Sequence, residues 1–139
     1  MPFLTKQYKF CAAHKYWNKN WDMSKNVEIF GDDVKLHGHN YILDITVSGT
    51  IDPDSGFIVN IKDLNNIVNE KVISVLDHSQ IEKDIKWFHG KQPSTENLVI
   101  FIWNQIEKLI VGNAFLYSIK LRETPTIYTT YYGPGKKQK

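Results

Sequence analysis

Apolar and polar residues alternate along two segments in the first third of the chain. From Leu4 to His14 the even positions are mostly apolar, and the odd positions from Thr5 to Lys9 are polar. A second alternation runs from His37 to Val47. Residues two apart project from the same face of a strand, so each pattern predicts a half-buried β-strand. The apolar face of the second strand consists of His37, His39, Tyr41, Leu43, Ile45 and Val47.

Two later segments repeat their apolar residues with the period of an α-helix. The first follows a turn-like run at residues 52–56 and is predicted to begin with Asn60 as its N-cap. The second is predicted to begin with Ser94 as its N-cap and to end near Gly112. The apolar face of the first helix comprises Ile61, Leu64, Ile67, Val68, Val72, Val75 and Leu76, and that of the second comprises Leu98, Ile102, Ile106 and Leu109.

Two further strands are predicted near the end of the chain, from Phe115 to Glu123 and from Thr126 to Tyr132. The order of elements is then ββααββ, which indicates an α+β fold. We expect one domain over residues 1–132 and a flexible basic tail at residues 133–139. The longest irregular stretch runs from Lys15 to Leu36, and loops of that length are usually functional.

The composition limits the partners and the location of the protein. A net charge of +2 at pH 7 does not indicate nucleic-acid binding. No apolar run approaches the ~20 residues of a membrane span, and the N-terminal residues do not resemble a signal peptide. We therefore expect a cytoplasmic protein that binds neither nucleic acid nor membrane. The single cysteine, Cys11, excludes a cysteine-rich zinc site, so any zinc must be bound by histidine or carboxylate.

Three histidines are placed to converge on one metal ion. If the first two strands pair antiparallel, His14 at the end of one lies beside His37 and His39 at the start of the other. Gly38 leaves room for the backbone between the two imidazoles of the second strand. Three histidine ligands suit Zn²⁺ and leave a fourth position for water or substrate, which is typical of a catalytic site.

Two other groups of residues admit both a catalytic and a structural interpretation. Asp77 and His78 form either an acid/base pair or a helix cap followed by a surface histidine. Glu123 ends an apolar strand face, where it either reads the amino-pyrimidine edge of a purine or pterin or lies partly exposed near a cation. His89 has no partner visible in the sequence and is interpreted as structural.

Six motifs in the same order resemble the 6-pyruvoyltetrahydropterin synthase family, which includes the 6-carboxytetrahydropterin synthases of queuosine biosynthesis. The resemblance covers nearly the whole chain. It rests on residues 10–14 (FCAAH), 28–31 (EIFG), 36–41 (LHGHNY), 76–78 (LDH), 93–98 (PSTENL) and 123–124 (ET). It implies the tunnelling fold, a four-stranded antiparallel sheet with two helices on one face, which assembles into homo-trimers or homo-hexamers with active sites between subunits.

The resemblance also implies a ligand and a role for each matched residue. The substrate is a pterin triphosphate, 7,8-dihydroneopterin triphosphate, and the cofactor is Zn²⁺ bound by the three histidines. Glu123 matches the glutamate that anchors the pterin ring, and Thr95, Glu96 and Thr124 match positions beside it. Asp77 and His78 match two members of a catalytic triad.

The third member of that triad is a cysteine, and the sequence departs from the family at this position. Counting from either flanking motif reaches Asp33, and strand alternation points Cys11 away from the face of His14. Aspartate has a reference pKa of ~3.9, against ~8.5 for cysteine, so it is the weaker base unless burial or a neighbour such as Asp32 raises its pKa. Glu28 is the other carboxylate that fits the role.

The departure leaves three functions open. The first is a zinc-dependent lyase of this family. The second is side-chain cleavage to 6-hydroxymethyl-7,8-dihydropterin for folate synthesis, which some relatives with a carboxylate at this position resemble. The third is a pterin-binding protein without catalytic activity.

Overall fold

A computed structural model describes residues 1–135 of the 139-residue chain. The strands in this part are β1 (Phe3–His14), β2 (His37–Gly49), β3 (Ser79–Gln80), β4 (Ala114–Thr124) and β5 (Ile127–Tyr131). The α-helices are α1 (Met23–Phe30), α2 (Ile61–Val68), α3 (Ser74–Leu76), α4 (Ile81–Asp84) and α5 (Thr95–Ile106). A π-helical turn, Asn69–Ile73, joins α2 to α3. Residues 136–139, which belong to the predicted basic tail, lie outside the described part.

The strands form a single sheet in the order β3-β1-β2-β4-β5. The four long strands pair antiparallel, whereas β3 lies parallel to the end of β1. The predicted α+β class and antiparallel sheet are therefore confirmed, with β3 as a fifth strand where four were expected. Two residues are too few for an alternation of apolar and polar positions, so the sequence gives no sign of β3.

The core lies between one face of the sheet and the long helices. From β1 and β2 it receives the alternating residues that were predicted to point inward, including Phe10, Tyr41 and Leu43. From the helices it receives Leu64, Val68, Val72 and Leu76, and then Leu98, Ile102 and Ile106, all of them fully buried. Both predicted N-caps are confirmed, because Asn60 accepts the Lys62 N–H at 2.9 Å and Ser94 accepts the Asn97 N–H at 3.2 Å.

The stretch from Lys15 to Leu36 was predicted to be irregular, and this prediction is wrong for the middle of the stretch. Helix α1 occupies Met23–Phe30 and a 3-10 turn continues to Val34. The sequence did not predict α1 because its apolar residues Met23, Val27 and Ile29 are exposed and form no stripe toward the core. The helix is instead fixed by polar contacts: Asp22 caps it, and the fully buried Asn26 bonds the preceding loop.

The apolar residues of the long helices α2 and α5 pack into the core. Among residues 1–135 no helix has the length and apolarity needed to cross a membrane.

Leu43→Ala is expected to lower the free energy of unfolding by about 2–5 kcal/mol, because Leu43 is fully buried at the centre of the sheet and its loss leaves a cavity. Urea denaturation measures the change. Leu36→Ala is the matched control, since the same change at a residue that is 58% exposed should cost about 0.5 kcal/mol or less. Equal losses in the two variants would contradict this assignment of the core.

Candidate metal centre and substrate pocket

Three histidines meet at one end of the sheet. The register of β1 against β2 places His14 opposite His37, and His39 opposite Ala12 two residues further in. The ring centroids of the three imidazoles lie 4.6, 5.0 and 5.1 Å apart, and one nitrogen of each lies within 4.8 Å of the others. The predicted convergence of His14, His37 and His39 is confirmed, and the cluster has the composition and size to bind a metal ion.

Gly38 allows the close approach of the two strands between these histidines. A Cβ atom at this position would lie 3.3 Å from the backbone oxygen of Ala12, tighter than most packed contacts. A larger residue would press β2 away from β1 and separate His14 from its two partners.

Backbone carbonyls orient two of the rings. His14 Nδ1 lies 2.8 Å from the oxygen of Pro93, and His37 Nδ1 lies 2.8 Å from the oxygen of Lys35. A carbonyl only accepts, so each Nδ1 carries the proton and each Nε2 is left with a lone pair. Among the described residues, the Nε2 atoms of His14 and His39 are buried without a hydrogen-bond partner, although a carboxylate oxygen of Glu123 approaches that of His39 within 3.1 Å. Buried nitrogens without partners are costly in a protein, and a metal ion would satisfy them.

The electrostatics of the cluster favour the neutral imidazole that binds metals. Burial, followed by the charges of His37 and His39, lowers the pKa of His14 to about 4. Burial and the charge of His37 also lower the pKa of His39. These imidazoles therefore remain unprotonated at neutral pH, and a metal does not have to displace a proton from either of them.

Carboxylates surround the histidines on the side toward β4 and α1. Glu123 Oε1 lies 3.1 Å from His39 Nε2, and the glutamate side chain is 14% exposed. Asp33 Oδ1 lies 3.6 Å from His37 Nε2 on a side chain that is 57% exposed. Burial and the charges of Asp33 and Glu96 raise the pKa of Glu123, although His37 opposes them. The carboxylate of Glu123 is thus held in a pocket that favours a ligand with N–H donors.

The first turn of α5 contributes the next predicted residues. The hydroxyl of Thr95 lies 3.0 Å from Glu96 Oε1 and 2.8 Å from the hydroxyl of Thr129 on β5. Glu96 is close enough for its charge to act on Glu123. Thr124 lies beside Glu123 at the end of β4, and its hydroxyl accepts a long bond of 3.4 Å from the Thr126 N–H. Thr124 lines a surface pocket together with His39 and Glu123, whereas Thr95 and Glu96 are not part of that lining.

Asp77 and His78 lie elsewhere in the chain. Asp77 follows α3 and accepts the backbone N–H of Cys11 at 2.9 Å, and His78 is 73% exposed with a positive φ of 63°. Both line a surface pocket with Cys11 and Asn40, on the face of the sheet opposite to the histidine cluster. Within one chain, the structure therefore does not bring this pair to the metal site. A positive φ at a residue other than glycine is uncommon and often marks a functional position.

The remaining acid/base candidates are Cys11, Glu28 and Asp33, and they differ in whether they reach the histidine cluster. The Cys11 sulfur lies 2.8 Å from Asn40 Oδ1, away from His14 as the strand alternation predicted. Glu28 is exposed on α1. Asp33 is the carboxylate of the loop that reaches the histidines.

Tyr16 lies beside the histidine cluster, which the sequence did not predict. Its ring centroid lies 5.1 Å from that of His14. Burial, followed by the charges of Glu123, Asp33 and Glu96, raises its pKa. The sequence carries a signal for this position, since Tyr16 is the next even position after His14, beyond the end of the predicted strand.

Comparisons with known proteins agree over almost the whole chain. A model of the family described as 6-pyruvoyl tetrahydropterin synthase matches residues 3–134. The 6-pyruvoyl tetrahydrobiopterin synthase of Drosophila melanogaster is 35% identical over 136 residues, which cover 96% of this chain and 81% of that protein. The 6-carboxy-5,6,7,8-tetrahydropterin synthase of Bacillus subtilis is 30% identical over 132 residues, covering 86% of this chain and 88% of that protein. The structure of the 6-pyruvoyl tetrahydropterin synthase of Caenorhabditis elegans has a TM-score of 0.86 at 28% identity, covering 96% of this chain and 97% of that chain.

His39→Ala is expected to weaken the binding of a divalent metal, because it removes one of three converging ligands. Loss of a group that only supports a ligand costs about 10–100-fold in affinity, so loss of the ligand itself should cost at least as much. Calorimetric titration of chelator-treated protein with Zn²⁺ measures the affinity. His89→Ala is the control, because His89 is an exposed histidine outside the cluster. Unchanged affinity in His39→Ala would contradict the assignment.

The metal-free protein is expected to lose stability as the pH falls from about 6.5 to about 4. In this window the unfolded chain protonates His14, whereas the folded protein keeps it neutral, so protons favour the unfolded state. Urea denaturation of chelator-treated protein at several pH values measures the slope. His14→Gln should show a shallower slope than the wild type, and an equally steep one would show that His14 is not responsible.

Proposed function

Because the chain belongs to the 6-pyruvoyl tetrahydropterin synthase family, we propose that it is a zinc-dependent lyase that acts on 7,8-dihydroneopterin triphosphate. The observation that carries this proposal is the juxtaposition of three buried or half-buried imidazoles with the carboxylate of Glu123, only 3.1 Å from one of them. The histidines can bind a metal ion, and the carboxylate of Glu123 beside them can accept hydrogen bonds from N–H groups. This pair of groups fits a ligand that has hydroxyls at one end and an amino-pyrimidine edge at the other.

The ligand set favours zinc over the harder cations. Three neutral imidazoles suit Zn²⁺, whereas Mg²⁺ and Ca²⁺ prefer oxygen ligands. Bound there, zinc would supply Lewis-acid chemistry by polarising the side-chain hydroxyls of the substrate and lowering their pKa. Pro93 and Lys35 hold His14 and His37 in the tautomer that such binding requires.

The chain's own residues then divide between binding and proton transfer. Glu123 accepts N–H groups from the pterin ring, and Thr95, Glu96 and Thr124 form the wall beside it. Asp33 is the group that accepts a proton from the substrate side chain, because its carboxylate lies 3.6 Å from a metal-binding imidazole. It performs the task that a cysteine performs in the family pattern.

Asp77 and His78 complete the site from a second subunit in this proposal. They face away from the histidines of their own chain and are accessible to solvent, with side chains 39% and 73% exposed. The opposite edge of the sheet is β5, whose outer residues Ile127 and Tyr128 are exposed. An edge strand with exposed apolar residues favours pairing with another copy. We therefore propose a cytoplasmic homo-trimer or homo-hexamer in which neighbouring chains share each site.

A second candidate function follows from Asp33. A carboxylate in place of the cysteine fits cleavage of the substrate side chain to 6-hydroxymethyl-7,8-dihydropterin, a precursor for folate synthesis. The relation to 6-carboxytetrahydropterin synthases keeps queuosine biosynthesis among the candidate pathways. A pterin-binding protein without turnover is the third candidate, since the pocket around Glu123 does not depend on Asp33 for its shape.

Asp33→Asn is expected to reduce turnover of 7,8-dihydroneopterin triphosphate by about 10²–10⁴-fold, because it removes the proton acceptor and retains the size of the side chain. Mass spectrometry of the product separates the candidates: a product with all three side-chain carbons excludes the cleavage reaction. Asp32→Asn is the matched control, a neighbouring aspartate that makes no ion pair with the histidines. Full activity of Asp33→Asn would remove Asp33 from the mechanism, and tight binding without any product would support the third candidate.

Mixing two inactive variants tests the shared site. Equimolar His39→Ala and His78→Ala are each expected to be inactive, whereas mixed oligomers, formed by co-expression, should recover activity. If subunits associate at random, about a quarter of the sites combine an intact histidine cluster with an intact Asp77-His78 pair. Initial rates measure the recovery. No recovery in oligomers shown to be mixed would indicate that each chain builds its site alone.

A further inference from the structure

Arg122 is the single arginine among the 17 lysine and arginine residues of the chain, and it makes no ion pair in the part of the chain that the structure describes. Its neighbour Glu123 does not pair with it, because consecutive residues of a strand point to opposite faces of the sheet. The guanidinium instead donates to the backbone oxygen of Pro125 at 2.7 Å. Most of its N–H groups, and its charge, are therefore available to a ligand.

Arg122 lines the same surface pocket as His39 and Glu123. The last pair of residues that joins β2 to β4 at this end of the sheet is Ile42 with Arg122. The pocket has a volume of about 590 Å³ and is also lined by Gly38, Asn40, Thr124 and Pro125. This volume is typical of a small-molecule site. Among the lining residues, Arg122 is the one with a permanent positive charge.

Two contacts hold the guanidinium in position. The bond to Pro125 fixes one N–H group, and the centre of the guanidinium lies over the Tyr128 ring, 4.7 Å from its centroid. Contact with an aromatic face leaves the other N–H groups free, because they lie in the plane of the guanidinium. An arginine that is already ordered loses little side-chain entropy when it binds a ligand.

The donors and acceptors of the pocket lie on different faces of the sheet. Arg122, Ile42 and Asn40 project from the face that is turned away from the helices, whereas Glu123 and His39 project from the other face. The Oδ1 atom of Asn40 is bonded to the Cys11 sulfur at 2.8 Å, so the polar atom that remains to Asn40 is the Nδ2 donor. The pocket therefore offers donors and a positive charge at one end and the acceptor Glu123 at the other.

We propose that Arg122 binds the phosphate groups of the ligand whose N–H groups Glu123 accepts. A guanidinium has only donors and forms paired hydrogen bonds with phosphate oxygens. The inference rests on the proposed function, because it takes the ligand to be a phosphorylated pterin. A pterin without phosphate gains nothing from the guanidinium, so Arg122 selects for the phosphorylated form.

Arg122→Gln tests the proposal with two stable, fully oxidised ligands, neopterin and neopterin 3′-triphosphate. Each is titrated by calorimetry into Zn²⁺-loaded protein. The wild type is expected to bind the triphosphate more tightly, and Arg122→Gln to weaken that binding by about 10–100-fold, as for a lost hydrogen bond to a charged group. Neopterin binding should change by less than about twofold. The loss for the triphosphate should shrink as the salt concentration rises, because salt screens the attraction between partly exposed charges.

Lys120→Gln is the matched control. It removes the same charge beside the same aromatic ring, since the Lys120 ammonium lies 4.1 Å from the Tyr128 centroid, but Lys120 does not line the pocket. Its affinity for both ligands should stay within about twofold of the wild type. Thermal unfolding and size-exclusion chromatography check that each variant keeps its fold and its oligomeric state.

Three outcomes would overturn the proposal and leave the proposed function standing. Equal losses for the two ligands in Arg122→Gln would assign Arg122 a structural role. Equal affinity of the wild type for the two ligands would show that the phosphates gain nothing from the guanidinium. An equal loss of triphosphate binding in Lys120→Gln would show only a general effect of positive charge. Binding of neither ligand by the wild type would refute the proposed function and the inference with it.

Discussion

The antiparallel pairing of β1 with β2 is the constraint on which the rest of the site depends. A single register sets His14 against His37 and, through the same alternation, directs Tyr41 and Leu43 into the core. A shift by one residue would turn the histidines outward and the core residues with them, so burial of the core fixes the geometry of the histidine cluster. The strand pairing that stabilises the sheet therefore also sets the positions of the three histidines.

The site so formed is electrostatically unbalanced in the isolated chain. Buried imidazole nitrogens without hydrogen bonds lie against the carboxylate of Glu123, whose pKa is raised by burial and then by the charges of Asp33 and Glu96. A cation bound by the imidazoles and a ligand that donates N–H groups to Glu123 would relieve both strains.

The candidate catalytic residues lie on both faces of the sheet. The histidines, Asp33 and Glu123 lie on the helical side, and Asp77 and His78 lie at the β1 edge on the other side. The His78 backbone is held in an uncommon conformation at that edge, although its side chain is largely exposed. A residue pair constrained in this way, at an edge able to pair with another chain, fits a site that is completed by assembly.

The sequence by itself determined the elements with strong periodicity and the convergence of the histidines. Alternation over β1 and β2 and the helical period of α2 and α5 depend on burial along each segment, which the order of residues records directly. Tertiary structure decided the rest. Helix α1 carries its apolar residues outward and is fixed by Asn26, and β3 is too short for a period, so neither has a pattern to read. The approach of Glu123 to His39 and the separation of Asp77 from the histidines both concern residues distant in the chain, and only the packed sheet and helices bring such residues together or hold them apart.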